Sequence, residues 1–382
     1  MMKLNVEHLD CNCLCFDWFL DNPINNCFID SDYVFSMAGW AFSIDRENFP
    51  NKVLIDDGFK INEYSFDVKR YDVIHAKSND LTLNPCCGFS VNVKLTTDKY
   101  RLGFMLGRDV FWVASIKVIF DSTIRGMGDW LFLGEDTNDS VAQYIGSNRQ
   151  DEIWISGWNN YFKEVDFYLS GKAKFSFVIS PSKEELFSDF YPFKRYEKTH
   201  VEHLIDMHGK YIVWPKVELY NNRYLSYDIA ETHWNDFGAY IAFIQYLESV
   251  DLKVDIFDDV KFTVKEVYGD LGHKVSPVVK SVRLFLDDDE SGLIRTDNGV
   301  VNHGNMKTIL NDNSLLASTL VIYGGSSANY FLKFASRVFR TVIFYHSTGS
   351  IDKDIFTKYN PDYVLFQSNQ RFLVRPPAPF RD

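Results

Sequence analysis

The sequence predicts an all-β domain followed by a larger α/β domain, and two observations carry this prediction. Short β-prone runs separated by turn residues fill residues 1–117, a pattern typical of a β-sandwich. Residues 118–382 instead alternate nearly continuous apolar runs with helical stretches. That pattern is typical of a parallel sheet covered by helices on both faces. We therefore expect a three-layer α/β domain with a mostly parallel sheet over residues 118–382.

Three runs support the β-sandwich. Residues 33–42 are aromatic and β-prone, residues 52–58 end in a hairpin signal, and residues 88–95 alternate apolar and polar side chains. An alternating run is expected of a strand with one buried face. Residues 39–41 (Gly-Trp-Ala), 70–73 (Arg-Tyr-Asp-Val) and 88–90 (Gly-Phe-Ser) loosely resemble a small β-sandwich module found beside glycosyltransferase domains in bacterial polysaccharide proteins. That resemblance implies no activity.

The second part of the chain shows helical and strand periodicities in turn. Apolar residues recur at helical spacing over residues 153–169, and residues 237–247 and 328–339 also read as helices. The apolar runs that we expect to form strands are residues 175–179, 211–214, 320–323, 342–345 and 363–366. The stretch from about 251 to 300 is less regular, and we expect an insertion there.

Composition limits the classes of partner. The chain has 382 residues and a net charge of −12, which argues against nucleic acid because binding to phosphate depends on basic clusters. Its 33 Phe, 21 Tyr and 8 Trp indicate aromatic cores or a sugar-binding surface. A chain of this length can bury two cores.

The expected location is the cytoplasm. Residues 1–8 lack a basic region followed by an apolar run, so they do not predict a secretory signal. No stretch approaches the roughly 18 uncharged apolar residues that a membrane span requires.

The six cysteines all lie in the first quarter of the chain. Cys11, Cys13 and Cys15 have a period of two, and Cys86 and Cys87 are adjacent, so the spacing does not match paired zinc ligands. We expect buried free thiols, no metal and a reducing compartment. The acidic run at residues 287–290 is expected to be a solvated turn.

Ser326 lies on the predicted turn between an apolar strand and a helix. Gly324 and Gly325 precede it, so the backbone can bend sharply, and the N-terminus of the following helix favours developing negative charge. Nucleophilic serines often occupy such a turn, but serine also caps helices. The segment alone leaves both roles open.

Glu231 and His233 lie two residues apart on the loop before the next predicted helix. On an extended loop, side chains at i and i+2 point the same way, so the carboxylate can hold the imidazole ring. A carboxylate that orients a histidine, and a histidine that activates a serine, are the parts of a nucleophilic acyl-transfer site. If this pair meets Ser326 in the fold, the chain carries a Ser–His–Glu triad.

Several short blocks together resemble a known family. The blocks are residues 128–134, 177–184 with Tyr191 and Pro192, 232–239, 269–272 and 360–364. Their order resembles the SGNH-hydrolase-like domain of the alginate O-acetyltransferase type. The most specific block is Thr-His-Trp-Asn-Asp-Phe-Gly-Ala at 232–239. In that family the carboxylate–histidine pair precedes the serine, as it does here.

The resemblance implies an SGNH-like fold and a role for each triad residue. Ser326 would be the nucleophile, His233 the general base and acid, and Glu231 the orienting carboxylate. The further candidates for binding substrate or the oxyanion are Ser327, Asn329 and Trp234.

The chain departs from the family pattern at two positions. The family has Asp where this chain has Glu231, and usually Asp where this chain has Gly325. The extra methylene of Glu requires the loop to retreat by roughly 1 Å, and a displacement of that size can be costly.

The expected reaction is transfer of an O-acetyl group to a sugar hydroxyl of a bacterial surface polysaccharide or its precursor, through an acyl-serine. The expected partner is a polysaccharide or glycan acceptor, together with polysaccharide-assembly proteins. No bound cofactor is required, and acetyl-CoA is a candidate acetyl donor. Two alternatives stay open: a carbohydrate esterase with the same triad, and a glycan-binding protein with a decayed site.

Overall fold

The computed structural model describes residues 2–9, 15–29, 33–43, 45, 49–78, 83–254, 260–287 and 292–381. The chain forms two compact units. The β unit comprises Met1–Ile124 with Tyr144–Asn148 and Pro192–Arg195, and the α/β unit comprises Arg125–Gln143, Arg149–Tyr191 and Tyr196–Asp382. The chain is thus a mixed α/β protein with several sheets.

The β unit contains two antiparallel sheets. Its elements are β1 (Met2–His8), β2 (Asp17–Asn22), β3 (Cys27–Ile29), β4 (Val34–Phe42), β5 (Lys52–Asp56), β6 (Ile61–Tyr64), β7 (Val68–Lys69), α1 (Tyr71–Lys77), β8 (Cys86–Lys94), β9 (Lys99–Leu106) and β10 (Asp109–Ile119). The strand orders are β3-β1-β10-β9-β5-β6 and β2-β4-β8-β7. The runs predicted at 33–42 and 88–95 are present as β4 and β8.

Aromatic rings join the two sheets of the β unit. Phe89 on β8 meets Phe104 on β9 edge to face at 6.0 Å between ring centroids, and Phe35 on β4 meets Tyr100 on β9 at 5.4 Å. These strands belong to different sheets, so the sheets pack face to face as a sandwich. Part of the high aromatic content of the sequence lies in this core.

The described cysteines are unpaired thiols in different environments. Cys87 is buried, and burial raises the pKa of its thiol to about 11. Cys15, in contrast, is exposed just before β2, while Cys27 and Cys86 are half-buried. The prediction that the thiols are mostly buried is therefore wrong for the described cysteines. Cys11 and Cys13 lie outside the described residues.

The rest of the chain alternates strands and helices. Its elements are β11 (Thr123–Arg125), β12 (Leu131–Leu133), α2 (Ser140–Ile145), α3 (Glu152–Leu169), β13 (Lys174–Ser180), α4 (Lys183–Leu186), α5 (His200–His208), β14 (Ile212–Val213), α6 (Lys216–Asn221), α7 (Arg223–Ser226), α8 (Asp236–Ser249), β15 (Lys261–Val267), α9 (Gly269–Gly272), β16 (Ser281–Asp287), β17 (Ile294–Asp297), β18 (Met306–Leu310), β19 (Leu316–Gly324), α10 (Leu332–Val338), β20 (Phe339–His346), α11 (Lys353–Tyr359) and β21 (Tyr363–Asn369). Short 3₁₀ helices span Met127–Asp129, Gly209–Tyr211, Ser326–Phe331 and Gln370–Val374.

A seven-stranded sheet in the order β14-β13-β21-β19-β20-β18-β17 forms the centre of the α/β unit. The strands β14, β13, β21, β19 and β20 are parallel. At one edge β18 pairs antiparallel with β20, and β17 pairs antiparallel with β18. The predicted insertion at 251–300 thus contributes an edge strand to the sheet, and β15 and β16 form a separate antiparallel ladder. Residues 255–259 and 288–291, which hold most of the acidic run, lie outside the described residues.

Helices pack on both faces of this sheet. On one face, Trp158 and Phe162 of α3 contact Phe177 of β13, with ring centroids 5.9 and 5.8 Å apart. On the other face, the Ser249 hydroxyl at the end of α8 donates to Ser176 Oγ at 2.8 Å. Neighbouring residues of a strand face opposite ways, so one strand anchors both layers.

Among the described residues, no helix is both long and apolar enough to span a membrane.

Candidate active site

A tight turn at the carboxyl end of β19 carries Ser326. A side chain at Gly324 would place its Cβ 2.7 Å from Ala328 Cβ and 2.9 Å from Gln367 Cβ, so glycine is required there. The Gly325 N–H donates to Gln367 Oε1 at 3.2 Å, which ties the turn to β21. Ser326 is exposed and opens the 3₁₀ helix that follows.

The loop before α8 carries His233. Asn235 caps this helix, since its Oδ1 accepts from the backbone N–H groups of Phe237 at 3.0 Å and Gly238 at 3.1 Å. Trp234 is fully buried, and its indole N–H donates to the Ser327 carbonyl at 3.2 Å. This bond joins the His233 loop directly to the serine turn.

The structure brings the three predicted triad residues together. His233 Nε2 lies 2.8 Å from Ser326 Oγ, and His233 Nδ1 lies 2.7 Å from Glu231 Oε1. Both distances are within hydrogen-bonding range. The exposed side-chain fraction is 18% for His233 and 8% for Glu231, whereas Ser326 is open to solvent. A reactant can therefore reach the hydroxyl while the carboxylate stays shielded.

Glu231 is held as a carboxylate by its neighbours. Burial on its own raises the pKa of Glu231. The hydrogen bond and the charge of His233, a hydrogen bond with Asp270 and the charge of Arg283 together outweigh burial and lower the pKa below its usual value. Arg283 Nη2 donates to Glu231 Oε2 at 2.6 Å, so both carboxylate oxygens have partners. An ionised carboxylate here stabilises the imidazolium that forms when His233 accepts a proton.

Arg283 also binds a second acid. Its Nε donates to Asp228 Oδ2, and Asp228 Oδ1 accepts from Asn235 Nδ2 at 3.1 Å. Asp228 is almost fully buried, and burial raises the pKa of its carboxyl although Arg283 opposes that rise. The sequence carries no local signal for the contacts of Arg283, because it lies 55 positions from Asp228 and 52 positions from Glu231.

A buried lysine shapes the loop that carries Glu231. Lys183 Nζ donates to the carbonyls of Asp228 at 3.1 Å, Ile229 at 2.9 Å and Glu231 at 2.8 Å. Burial lowers the pKa of Lys183 to about 7. Three carbonyls converging on one ammonium fix the backbone just before the triad histidine. Lys183 lies within a block quoted for the family resemblance, but the sequence assigned it no role.

Asp270 is a further carboxylate beside the triad. It accepts hydrogen bonds from the Thr232 N–H at 2.8 Å and from the Thr232 hydroxyl at 2.5 Å. Gly269 brings it close with φ +67°, and a Cβ there would lie 2.0 Å from the Ala230 carbonyl. Burial and the charge of Glu231 both raise the pKa of Asp270.

Donor atoms of Glu231, His233 and Asp270 lie within 4.8 Å of one another, a grouping that can in principle hold a metal ion. Two of these donors are already engaged, since Glu231 binds both His233 and Arg283. The guanidinium also supplies positive charge where a cation would lie. The donor set therefore suits acid–base chemistry better than metal binding, and the absence of a metal stays a prediction.

The predicted binding residues fall into two kinds. Asn329 Oδ1 accepts from Lys307 Nζ at 3.0 Å, and since an ammonium only donates, this bond fixes the amide orientation. Asn329 Nδ2 is then directed to the serine turn, 3.3 Å from the Ser326 carbonyl. The Ser327 hydroxyl is buried and donates to Asn369 Oδ1 at 2.6 Å.

These contacts separate the three predicted binding residues by what their side chains can reach. The Trp234 and Ser327 side chains are both buried and do not face solvent. The Trp234 indole joins the His233 loop to the serine turn, and the Ser327 hydroxyl joins that turn to Asn369. Asn329 is half-exposed beside Ser326 and stays a candidate oxyanion donor, together with the backbone N–H of Ser327.

Comparison with known proteins reveals a likeness of fold. No protein-family profile matches the sequence, and no curated protein is significantly similar to it. The chain is similar to Bacillus cereus PatB1, with a TM-score of 0.50 and 12% identity over 67% of this chain and 97% of that one.

Two further solved structures are more distantly similar. The likeness to a DHHW family protein from Eubacterium siraeum has a TM-score of 0.48 and 12% identity, covering 67% of this chain and 95% of that one. The likeness to the O-acetyltransferase domain of Pseudomonas putida AlgJ has a TM-score of 0.42 and 13% identity, covering 66% of this chain and 93% of that one. At these identities the comparisons speak to the fold alone.

Proposed function

We propose that this protein is an acyltransferase with an SGNH-like domain that moves an acetyl group to a sugar hydroxyl of a polysaccharide or its precursor. The observation that carries the proposal is the chain of hydrogen bonds from Glu231 through His233 to the exposed Ser326. The sequence blocks that resemble the alginate O-acetyltransferase type, and the PatB1-like fold, support the same conclusion.

In the first half of the reaction Ser326 becomes acetylated. His233 Nε2 takes the hydroxyl proton as Oγ attacks the acetyl carbonyl carbon, and Glu231 stabilises the imidazolium. The Ser327 N–H and the Asn329 amide are the candidate donors to the oxyanion. The tetrahedral intermediate then expels the donor group, which takes the proton from His233, and acetyl-serine remains.

In the second half a sugar hydroxyl replaces the donor. His233 deprotonates that hydroxyl, whose oxygen attacks the acetyl carbonyl carbon of the acetyl-serine. Collapse of the second tetrahedral intermediate breaks the bond to Ser326 Oγ, and His233 returns the proton to the serine. The products are the acetylated sugar and the free enzyme, so no bound cofactor is required.

The wider setting is part of the proposal. We expect a glycan acceptor, polysaccharide-assembly proteins as partners and a cytoplasmic location, with acetyl-CoA as one candidate donor. Incubation of the protein with acetyl-CoA and, separately, with acetylated oligosaccharides, followed by mass spectrometry of Ser326, identifies the donor. A donor that leaves Ser326 unmodified is excluded.

Ser326 and His233 are tested by substitution. Ser326→Ala and His233→Ala should each lower kcat/KM for p-nitrophenyl acetate by at least about a hundredfold, since triad members act as a unit. Ser170→Ala, at an exposed serine after α3, is the matched control and should match the parent. If Ser326→Ala turns over the ester as fast as the parent, the nucleophile is elsewhere.

The same materials separate the two alternatives. A fluorophosphonate probe should label Ser326 in the parent but not in Ser326→Ala, and failure to label the parent favours a decayed glycan-binding site. Product analysis with donor and oligosaccharide together should show acetylated sugar. Release of acetate alone, at the same rate with and without the sugar, favours the esterase.

A further inference from the structure

Arg283 reaches the triad from an element that carries none of the triad residues. It lies on β16, which pairs with β15 in a ladder separate from the central sheet. Its guanidinium donates to Glu231 through Nη2 and to Asp228 through Nε. Its side chain is only 13% exposed, so both contacts are shielded from water.

We propose that Arg283 is a positioning residue, which holds the Glu231 carboxylate against His233 so that glutamate serves where the resembling family has aspartate. The proposal rests on the proposed function, because it concerns the same triad. It makes the β15–β16 ladder a working part of the active site.

The first step of the argument is geometric. Glutamate has one more rotatable bond than aspartate, so its carboxylate needs a second contact to stay in one position. The guanidinium supplies that contact with a planar fork whose donors bind two acids at once. One carboxylate oxygen of Glu231 is then free to accept from His233 Nδ1 at 2.7 Å.

The second step concerns what anchors the arginine. Asp228 accepts from Arg283 on one oxygen and from Asn235 Nδ2 on the other, at 3.1 Å. Asn235 also caps α8, the helix that follows His233. Arg283 is therefore anchored to the start of α8 through Asp228 and Asn235, and His233 lies just before the same helix. The contacts of Arg283 with Glu231, and of Glu231 with His233, close the ring.

The third step concerns charge. The charged and titratable groups around the Glu231 carboxylate include His233, Asp228, Asp270, Lys183, Arg283 and the phenol of Tyr330. Two of them are acids, so an ionised glutamate requires a nearby cation. Lys183 directs its ammonium to three backbone carbonyls. Among the arginines and lysines of the described residues, Arg283 is the one whose side chain hydrogen-bonds the Glu231 carboxylate.

A double-mutant cycle tests the proposal. Arg283→Met should lower kcat for p-nitrophenyl acetate by about 10- to 100-fold with KM within about threefold, because the arginine is shielded from solvent and acts through Glu231. Arg283→Lys should recover only part of this loss, since one ammonium cannot bridge both acids. In a Glu231→Gln background, Arg283→Met should cost less than about threefold, because its effect passes through Glu231.

The controls make every outcome informative. Lys280 is an exposed cation just before β16 that pairs with Glu266 of β15. Lys280→Met should therefore have the same kcat and KM as the parent. Arg283→Met leaves the buried Asp228 carboxylate without its cation. If that variant fails to fold, Asp228→Asn/Arg283→Met removes both charges and serves as the second variant. A full loss that persists in the Glu231→Gln background overturns the proposal. Inactivity of the parent, or an active Ser326→Ala, instead overturns the proposed function.

Discussion

At the scale of single residues, the site depends on how one carboxylate is shared. Glu231 accepts from His233 on one oxygen and from Arg283 on the other. The family pattern has aspartate here, and the structure shows that the longer side chain still reaches the imidazole at 2.7 Å. At the other departure, Gly325, the nearest described atom to an added Cβ would be Gln367 Oε1 at 3.8 Å, so lack of space does not require glycine there.

Substitution of Glu231 tests its role as an orienting group. Glu231→Gln should lower kcat/KM for p-nitrophenyl acetate less than His233→Ala does, so that the Gln variant keeps about ten times the kcat/KM of the Ala variant. The reason is that the carboxylate stabilises the imidazolium without taking part in bond-making. Steady-state kinetics of the two variants side by side provide the measurement. Equal losses would assign Glu231 a part in proton transfer itself.

At the scale of elements, the serine turn is built by β19, β21 and the 3₁₀ helix together. Gly324 packs against Gln367 of β21, and the Gln367 amide donates to Ser180 Oγ at 2.8 Å and to Asn369 Oδ1 at 3.1 Å. The same Asn369 accepts from Ser327 at 2.6 Å. The carboxyl ends of three neighbouring parallel strands thus hold the nucleophile in place.

The two glycines of this turn should respond differently to substitution. Gly324→Ala forces a Cβ to 2.7 Å from Ala328 and should lower the free energy of unfolding by about 1–3 kcal/mol. Gly325→Ala enters open space and should change it by less than about 1 kcal/mol. Urea unfolding measures both, and fluorophosphonate labelling of Ser326 reports the geometry of the turn. Equal destabilisation by the two changes would contradict this account of the turn.

At the scale of the whole molecule, two buried titratable groups give stability opposite dependences on pH. His200 is 2% exposed, and burial followed by the charge of His203 lowers its pKa to about 4. Burial raises the pKa of Glu184 to about 7. The histidine contributes stability that is lost as pH falls, and the glutamic acid contributes stability that is lost as pH rises.

A histidine variant separates these contributions. Between about pH 6.5 and 4 the unfolded chain binds a proton that folded His200 rejects, so this residue should cost roughly 3 kcal/mol of stability by pH 4. His200→Phe should remove that cost, and its free energy of unfolding relative to the parent should rise by a similar amount from pH 7 to pH 4. Urea unfolding at both pH values provides the measurement. A constant difference would show that His200 is protonated in the folded protein.

Glu184 offers the converse experiment. Folded Glu184 keeps its proton up to about pH 7, whereas the unfolded side chain loses it near pH 4.5. Glu184→Gln should therefore gain stability relative to the parent as pH rises from 4 to 8, by up to roughly 3 kcal/mol. Urea unfolding of both proteins at pH 4 and pH 8 checks this, and a difference that shrinks as pH rises would refute it.

Many of the strands and helices can be predicted from the sequence, because the residue patterns that predict them are local. Alternation of apolar residues predicts β8, continuous apolar runs predict β13, β19, β20 and β21, and helical spacing predicts α3. The spacing of Glu231 and His233 and the glycines before Ser326 allow a triad, and the resemblance to the alginate O-acetyltransferase type implies the role of each residue. Each of these signals depends on only a few neighbouring residues.

The sequence by itself determined a β-rich part followed by an α/β part, and the chemical types of the triad residues. The tertiary structure alone decided that Trp234 and Ser327 face inward, and that Arg283, Asp228, Lys183 and Asp270 surround the carboxylate. The physical reason is that periodicity and turn chemistry arise between adjacent residues. Hydrogen bonds between side chains some forty to ninety positions apart exist only once the chain has folded.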